Sequence, residues 1–148
     1  MKVSNRIRNL AAGLGAAALL LSGCAEVTAT LHGGKTVNFF LSGSNEVPAV
    51  STNARGEGTI TVSDDGTVAG RVTTSGIDGV AAHIHTGGRS ENGPVAVGLV
   101  KSSDTVWSVP TGARLNEAQL AAFKAGNTYV NVHSAAYKGG EIRAQLMP

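Results

Sequence analysis

Between Val37 and Met147 the chain divides into short runs in which apolar and polar residues alternate, each run ended by a turn signal. Few folds are compatible with that pattern. Side chains on a strand point to opposite faces in turn. Gly58 to Ser63 therefore places Ile60 and Val62 on one face and Thr59, Thr61 and Ser63 on the other. Asp64-Asp65-Gly66 is a tight-turn signal. Thr67 to Thr74 continues as the second arm of that hairpin, with Val68 and Val72 inward. Val37 to Leu41, Gly79 to Thr86, Val95 to Val100, Thr105 to Val109, Thr128 to His133 and Glu141 to Met147 read in the same way. In the last of these, Ile142, Ala144 and Leu146 face inward. About eight short strands predict an all-β, antiparallel Greek-key sandwich or barrel.

A single helix interrupts the series. Asn116 is a good N-cap, and Gln119 stands three residues on, as in a capping box. Leu115 and Leu120 fit the two positions of a hydrophobic staple. Gly126 suits the C-terminal cap. The helix runs from about Glu117 to Ala125, and its Leu120 and Phe123 pack on a sheet.

Two of the strands carry imidazoles. In Ala82-His83-Ile84-His85, His83 and His85 share one face and Ala82 and Ile84 the other. In Tyr129-Val130-Asn131-Val132-His133, Val130 and Val132 face the core and His133 lies with Asn131 on the opposite side. If the two strands are neighbours, three of the four histidines of the chain converge on the outer face of the sheet. The loops 87–93 and 134–140 are placed to cover them. Imidazole suits copper, zinc, iron and nickel. A mononuclear site on His83, His85 and His133 is the leading expectation, with water, Tyr137 or Glu141 as a fourth group. Copper is preferred over zinc, because the chain reads as exported and offers neither thiolates nor a clear carboxylate ligand. Zinc with three histidines and one open position also fits the donors. Glu46 is read as a turn cap, or as a group that orients a ring nitrogen from behind. Glu141 and Arg143 face outward as a cross-strand pair. Arg89 is a solvated loop charge.

The first 23 residues stand apart. Lys2, Arg6 and Arg8 form a basic start, and Leu10 to Leu21 is an apolar run too short to span a bilayer comfortably. This is the pattern of a signal peptide. Leu21-Ser22-Gly23-Cys24 resembles the lipobox of bacterial lipoproteins, which implies a lipid on Cys24 and attachment to a membrane through it. Ala25 after the Cys resembles sorting to the outer membrane, facing the periplasm or the cell surface. Residues 24–35 then form a tether holding a solvated His32, and 36–148 form the domain. Cys24 is the only Cys, so stability must come from packing. Three of the 12 basic residues lie before Cys24, leaving nine against 10 acidic ones. No basic patch or stacking platform argues for nucleic acid.

Six separated motifs narrow the family. Asn45-Glu46-Val47-Pro48, Gly56 to Ile60, Ala82-His83-Ile84-His85, Asn92-Gly93-Pro94, Tyr129 to His133 and Gly139-Gly140-Glu141-Ile142-Arg143 follow in this order. Together they resemble the CHRD domain, the module named after chordin, over roughly Thr36 to Met147. Ala49 stands where the family pattern commonly has a second Pro, a change expected to affect loop rigidity only. The resemblance implies a β-sandwich, exported or lipid-anchored in bacteria, and in chordin a role in protein contacts. A protein- or glycan-binding module is thus an alternative to metal binding. The His-x-His strand with a distant His also resembles copper/zinc superoxide dismutase, which implies a dismutase-like barrel and, as a third reading, redox catalysis. The bridging histidine, further zinc ligands and disulfide of that enzyme have no counterpart here. No nucleophile elbow or complete phosphate loop is present, which favours binding over catalysis.

Overall fold

The computed structural model describes residues 33–148. The expected signal segment, Cys24, Ala25 and His32 lie outside the described residues. Nine strands form one antiparallel sheet: β1 (Lys35–Ser42), β2 (Arg55–Val62), β3 (Val68–Ser75), β4 (Gly79–Thr86), β5 (Val95–Gly98), β6 (Val100–Lys101), β7 (Val106–Ser108), β8 (Thr128–Ser134) and β9 (Ile142–Leu146). Their order is β5-β4-β8-β9-β1-β2-β3-β7-β6.

The two edges of this sheet are one stretch of chain. β5 pairs with β4 and β6 pairs with β7. Between them the Leu99 N–H donates to the Ala82 carbonyl at 2.9 Å, and Lys101 Nζ donates to the Gly79 carbonyl. The run expected as a single strand over Val95 to Val100 is therefore split at Leu99, where it stops pairing with β4 and begins pairing with β7. This nearly closes the sheet into a barrel, which removes the exposed edges that an open sheet would present. β4, β5–β6 and β7 follow one another, and β8 returns to lie beside β4, a Greek key.

The return from β7 to β8 carries the helix α1 (Glu117–Lys124). Its capping box is complete: Asn116 Oδ1 accepts from the Gln119 N–H, and Gln119 Oε1 accepts from the Asn116 N–H. At the other end Gly126 takes φ 73° and the Asn127 N–H reaches the Ala122 carbonyl, a Schellman closure. Phe123 is buried against the barrel and Leu120 partly so.

The barrel is filled as the alternation predicts. Leu41, Ile60, Val72, Ile84, Val130, Val132, Ile142 and Leu146 are all almost completely buried. The outer face does not follow the simple rule that it should be wet. All seven residues of β8 are buried, Tyr129, Asn131 and His133 included. The segments 43–54, 87–94 and 135–141 fold over this face, and they supply its partners.

Candidate metal centre

Register decides the geometry of the histidines. β4 and β8 are neighbours, with His83 opposite Asn131, His85 opposite Tyr129 and Ala81 opposite His133. The three imidazoles thus share one face across two adjacent strands. Their nearest ligand atoms all lie within 4.8 Å of one another. His83 Nδ1 and His133 Nε2 are 2.9 Å apart.

The remaining nitrogens fix the tautomers. His85 Nδ1 donates to the Gly93 carbonyl at 2.8 Å, and His133 Nδ1 donates to the Lys138 carbonyl at 2.9 Å. Each ring, if neutral, then carries its lone pair on Nε2. Fastening the far nitrogen to a backbone carbonyl is how metal-ligating histidines are commonly held. His133 Nε2 accepts from His83 Nδ1, while His85 Nε2 is buried without a partner. An unpaired buried acceptor costs free energy, and an ion between the rings would satisfy it. A single ion at ~2.0–2.1 Å from each nitrogen would set the three atoms roughly 3.5 Å from one another, so the widest pair must close and the 2.9 Å contact between His83 Nδ1 and His133 Nε2 must open slightly. His85 and His133 are each 8% exposed, and the half-buried His83 is the ring nearest solvent.

All three pKa values lie below the usual histidine value, and burial is the leading cause at each. The neighbouring rings lower His83 and His133 further, and Arg143 lowers His85. The hydrogen bonds to Gly93 and Lys138, and the Asn131 side chain beside His85, act in the opposite direction. The rings are thereby kept neutral, the form that coordinates.

The other residues read from the sequence fall elsewhere. Among the described residues, the metal-competent group is the three histidines and includes neither Glu46 nor Glu141. Glu141 accepts a 2.7 Å bond from Thr52 Oγ1. Tyr137 is 38% exposed, and its backbone N–H is engaged with Ser134. Arg89 is exposed, as expected. Glu46 does end a 3-10 turn (Gly43–Asn45), but its side chain is 6% exposed, and burial raises its pKa to about 7.

The expected Glu141–Arg143 surface pair is corrected: both residues are buried, and they are not paired. Arg143 is 1% exposed. Its guanidinium donates to the Gly88 and Glu91 carbonyls at 2.7 and 3.0 Å and to Asn92 Oδ1 at 3.2 Å. It lies over the Tyr129 ring, 3.4 Å from Cζ to centroid. His85 stacks parallel on the same ring at 4.8 Å. Since β8 runs between β4 and β9, the tyrosine is sandwiched between imidazole and guanidinium.

Five of the six motifs noted separately in the sequence therefore meet in one polar layer, while Gly56 to Ile60 packs against Phe39, Leu41 and Ile142. Asn45 Nδ2 donates to the Arg143 carbonyl, and Asn92 Nδ2 to the Val47 carbonyl. Gly93 touches both sides: its carbonyl accepts from His85, and its N–H donates to Tyr129 Oη at 3.2 Å. A Cβ on Gly93 would collide with the Thr86 carbonyl oxygen, and one on Gly140 with Glu46 Oε1. Sequence reasoning missed Tyr129, Asn92 and the true place of Arg143. The available signal was that Tyr129, Asn131 and His133 share one face of a single strand.

The CHRD domain family model matches residues 37–146. Comparison with curated proteins and with solved structures finds no match. The family match spans every strand except the first residues of β1 and includes all six motifs; the chain belongs to the CHRD domain family.

Proposed function

We propose that this chain is a lipid-anchored, extracytoplasmic metal-binding module that holds copper on His83, His85 and His133. One observation carries the reading. His85 Nε2 is buried with no well-formed hydrogen bond, Asn131 being its nearest polar neighbour, within a group of three imidazoles, two of which have their other nitrogen fixed by a carbonyl. A purely structural histidine would use both nitrogens or leave one in water. Copper is one of the metals that imidazole suits, and it is favoured over zinc because the chain reads as exported and the donors include neither thiolate nor carboxylate. Bound there, the ion would supply a Lewis-acidic or redox-active centre reached past His83. The residues of this chain hold and orient it and keep bulk water from two of its three ligands.

Export and anchoring rest on the basic start, the apolar run and Leu21-Ser22-Gly23-Cys24. One experiment addresses both halves of the proposal. The chain expressed in a bacterial host is expected to partition into detergent through Cys24, and Cys24→Ser to release it. Titration of the Cys24→Ser chain with copper is expected to saturate at one ion, with affinity reduced at least a hundredfold by His83→Ala. A protein that stays metal-free after loading with copper and zinc would overturn the metal assignment.

A further inference from the structure

We infer that the three-histidine site is built for the monovalent ion Cu(I), and that Arg143 is the residue that selects it. This rests on the metal reading above and goes beyond it by naming the charge state. The donors bring three neutral imidazoles and no anion. Moving an ion from water into a protein interior carries a penalty that rises with the square of its charge. A dication buried on neutral ligands is therefore far costlier than a monocation. Dications in proteins usually meet that cost with a carboxylate, a thiolate or a bound hydroxide. The two nearest buried carboxyls are not in the group: Glu141 is occupied by Thr52, and Glu46 lies beyond Asn131.

Arg143 adds to the cost. It is a fixed positive charge, 1% exposed and separated from His85 by the thickness of one tyrosine ring. Its donors are spent on carbonyls and amides that carry no charge. Among the described residues Glu46 is the carboxyl placed to offset it, and burial keeps Glu46 largely protonated below about pH 7. A cation at roughly 10 Å in a medium of effective dielectric ~20 disfavours each additional unit of charge on the metal by about tenfold in affinity. Cu(II) also prefers a tetragonal field, which needs a fourth donor that the cluster does not include among the described residues. Arg143 therefore acts through the field at the site and touches no ligand of the ion.

The test is competition at pH 6.5 against chromophoric chelators, with Cu(I) under reductant and with Cu(II) and Zn(II) without it. Cys24→Ser is present throughout, because a thiolate would itself take Cu(I). The Cys24→Ser chain is expected to bind Cu(I) more tightly than Zn(II) or Cu(II). Arg143→Gln is expected to tighten both dications about tenfold relative to Cu(I), and Arg143→Lys to leave the ratio unchanged. Tighter binding of either dication by the Cys24→Ser chain would overturn the inference while leaving the metal site standing. A shift of all three ions together in Arg143→Gln would do the same. Failure to bind any of the three would remove the metal reading itself. If the Arg143 variants do not fold, the order of affinities in the Cys24→Ser chain decides.

Discussion

The two faces of β8 are both buried, and they are buried for different reasons. Val130 and Val132 point into the barrel, where exclusion from water is the driving force and no particular direction is required. Tyr129, Asn131 and His133 point outward into a layer built from hydrogen bonds that are directional and individually specific. The inner face is mostly apolar, with the buried Thr128 as a polar exception on the side of Val130 and Val132. The outer face holds an imidazole cluster, a guanidinium and a carboxyl raised to about 7. One strand thus serves as the wall between a core that supplies stability and a layer that supplies chemistry.

The largest effect should come from breaking the inner side. Ile142 is fully buried, and Ile142→Ala removes three carbons from a closed interior. A loss of about 3 kcal/mol in unfolding free energy is expected from urea denaturation, with copper affinity of the folded protein unchanged within about twofold. A loss under about 1 kcal/mol would mean that the polar layer, and not the barrel interior, carries most of the stability.

How much of this was legible depends on the same division. The inner face was readable because a period of two assigns Ile60, Val62, Val72, Ile142, Ala144 and Leu146 to one side whatever lies beyond them. The His-x-His strand and its partner were readable for the same reason: alternation places His83, His85 and His133 on faces that coincide once β4 and β8 pair. Helix α1 announced its start through a local cap. Alternation does not say whether an outer face is wet. Sequence alone places Arg143 outside because nothing near it in the chain covers it; the cover comes from Gly88, Glu91 and Asn92, more than 50 positions away. Its bonds to Gly88 and Glu91 go to backbone carbonyls, which every residue type possesses, so no side-chain pattern advertises them. The split of β5 from β6 at Leu99 was illegible for a related reason, since it depends on barrel closure and not on the local run.

A smaller effect separates the groups within the outer layer. The histidines have folded pKa values below their unfolded value near 6.5. The unfolded chain therefore binds protons that the folded chain refuses, and stability falls as pH drops below about 6.5. Glu46 works in the opposite sense. Its folded pKa, about 7 against an ordinary 4.5, makes the folded chain bind the extra proton. That contribution is complete below about 4.5 and is lost as pH rises through 7. Thermal melts of the metal-free protein from pH 8 to 5 are expected to show these slopes partly cancelling. Glu46→Gln should melt higher than the parent at pH 8 and fall more steeply on acidification. A Glu46→Gln profile parallel to that of the parent would show that Glu46 is charged and solvated in the folded state.

The smallest effect tests what holds the loop over the histidines. Tyr129 has two separable functions: its ring is clamped between His85 and Arg143, and its hydroxyl accepts from the Gly93 N–H. Tyr129→Phe keeps the first and deletes the second, and should cost about 1 kcal/mol, the net value of one such bond. Because the Gly93 carbonyl also accepts from His85 Nδ1, the loss should appear locally. Amide exchange at 87–94 should accelerate while exchange in β1 and β2 stays as it was. Uniform acceleration through both regions would show that the hydroxyl supports the barrel and that the two faces of β8 are not energetically separate. Exchange unchanged at 87–94 would place the hold on that loop with Arg143, whose guanidinium grips the Gly88 and Glu91 carbonyls.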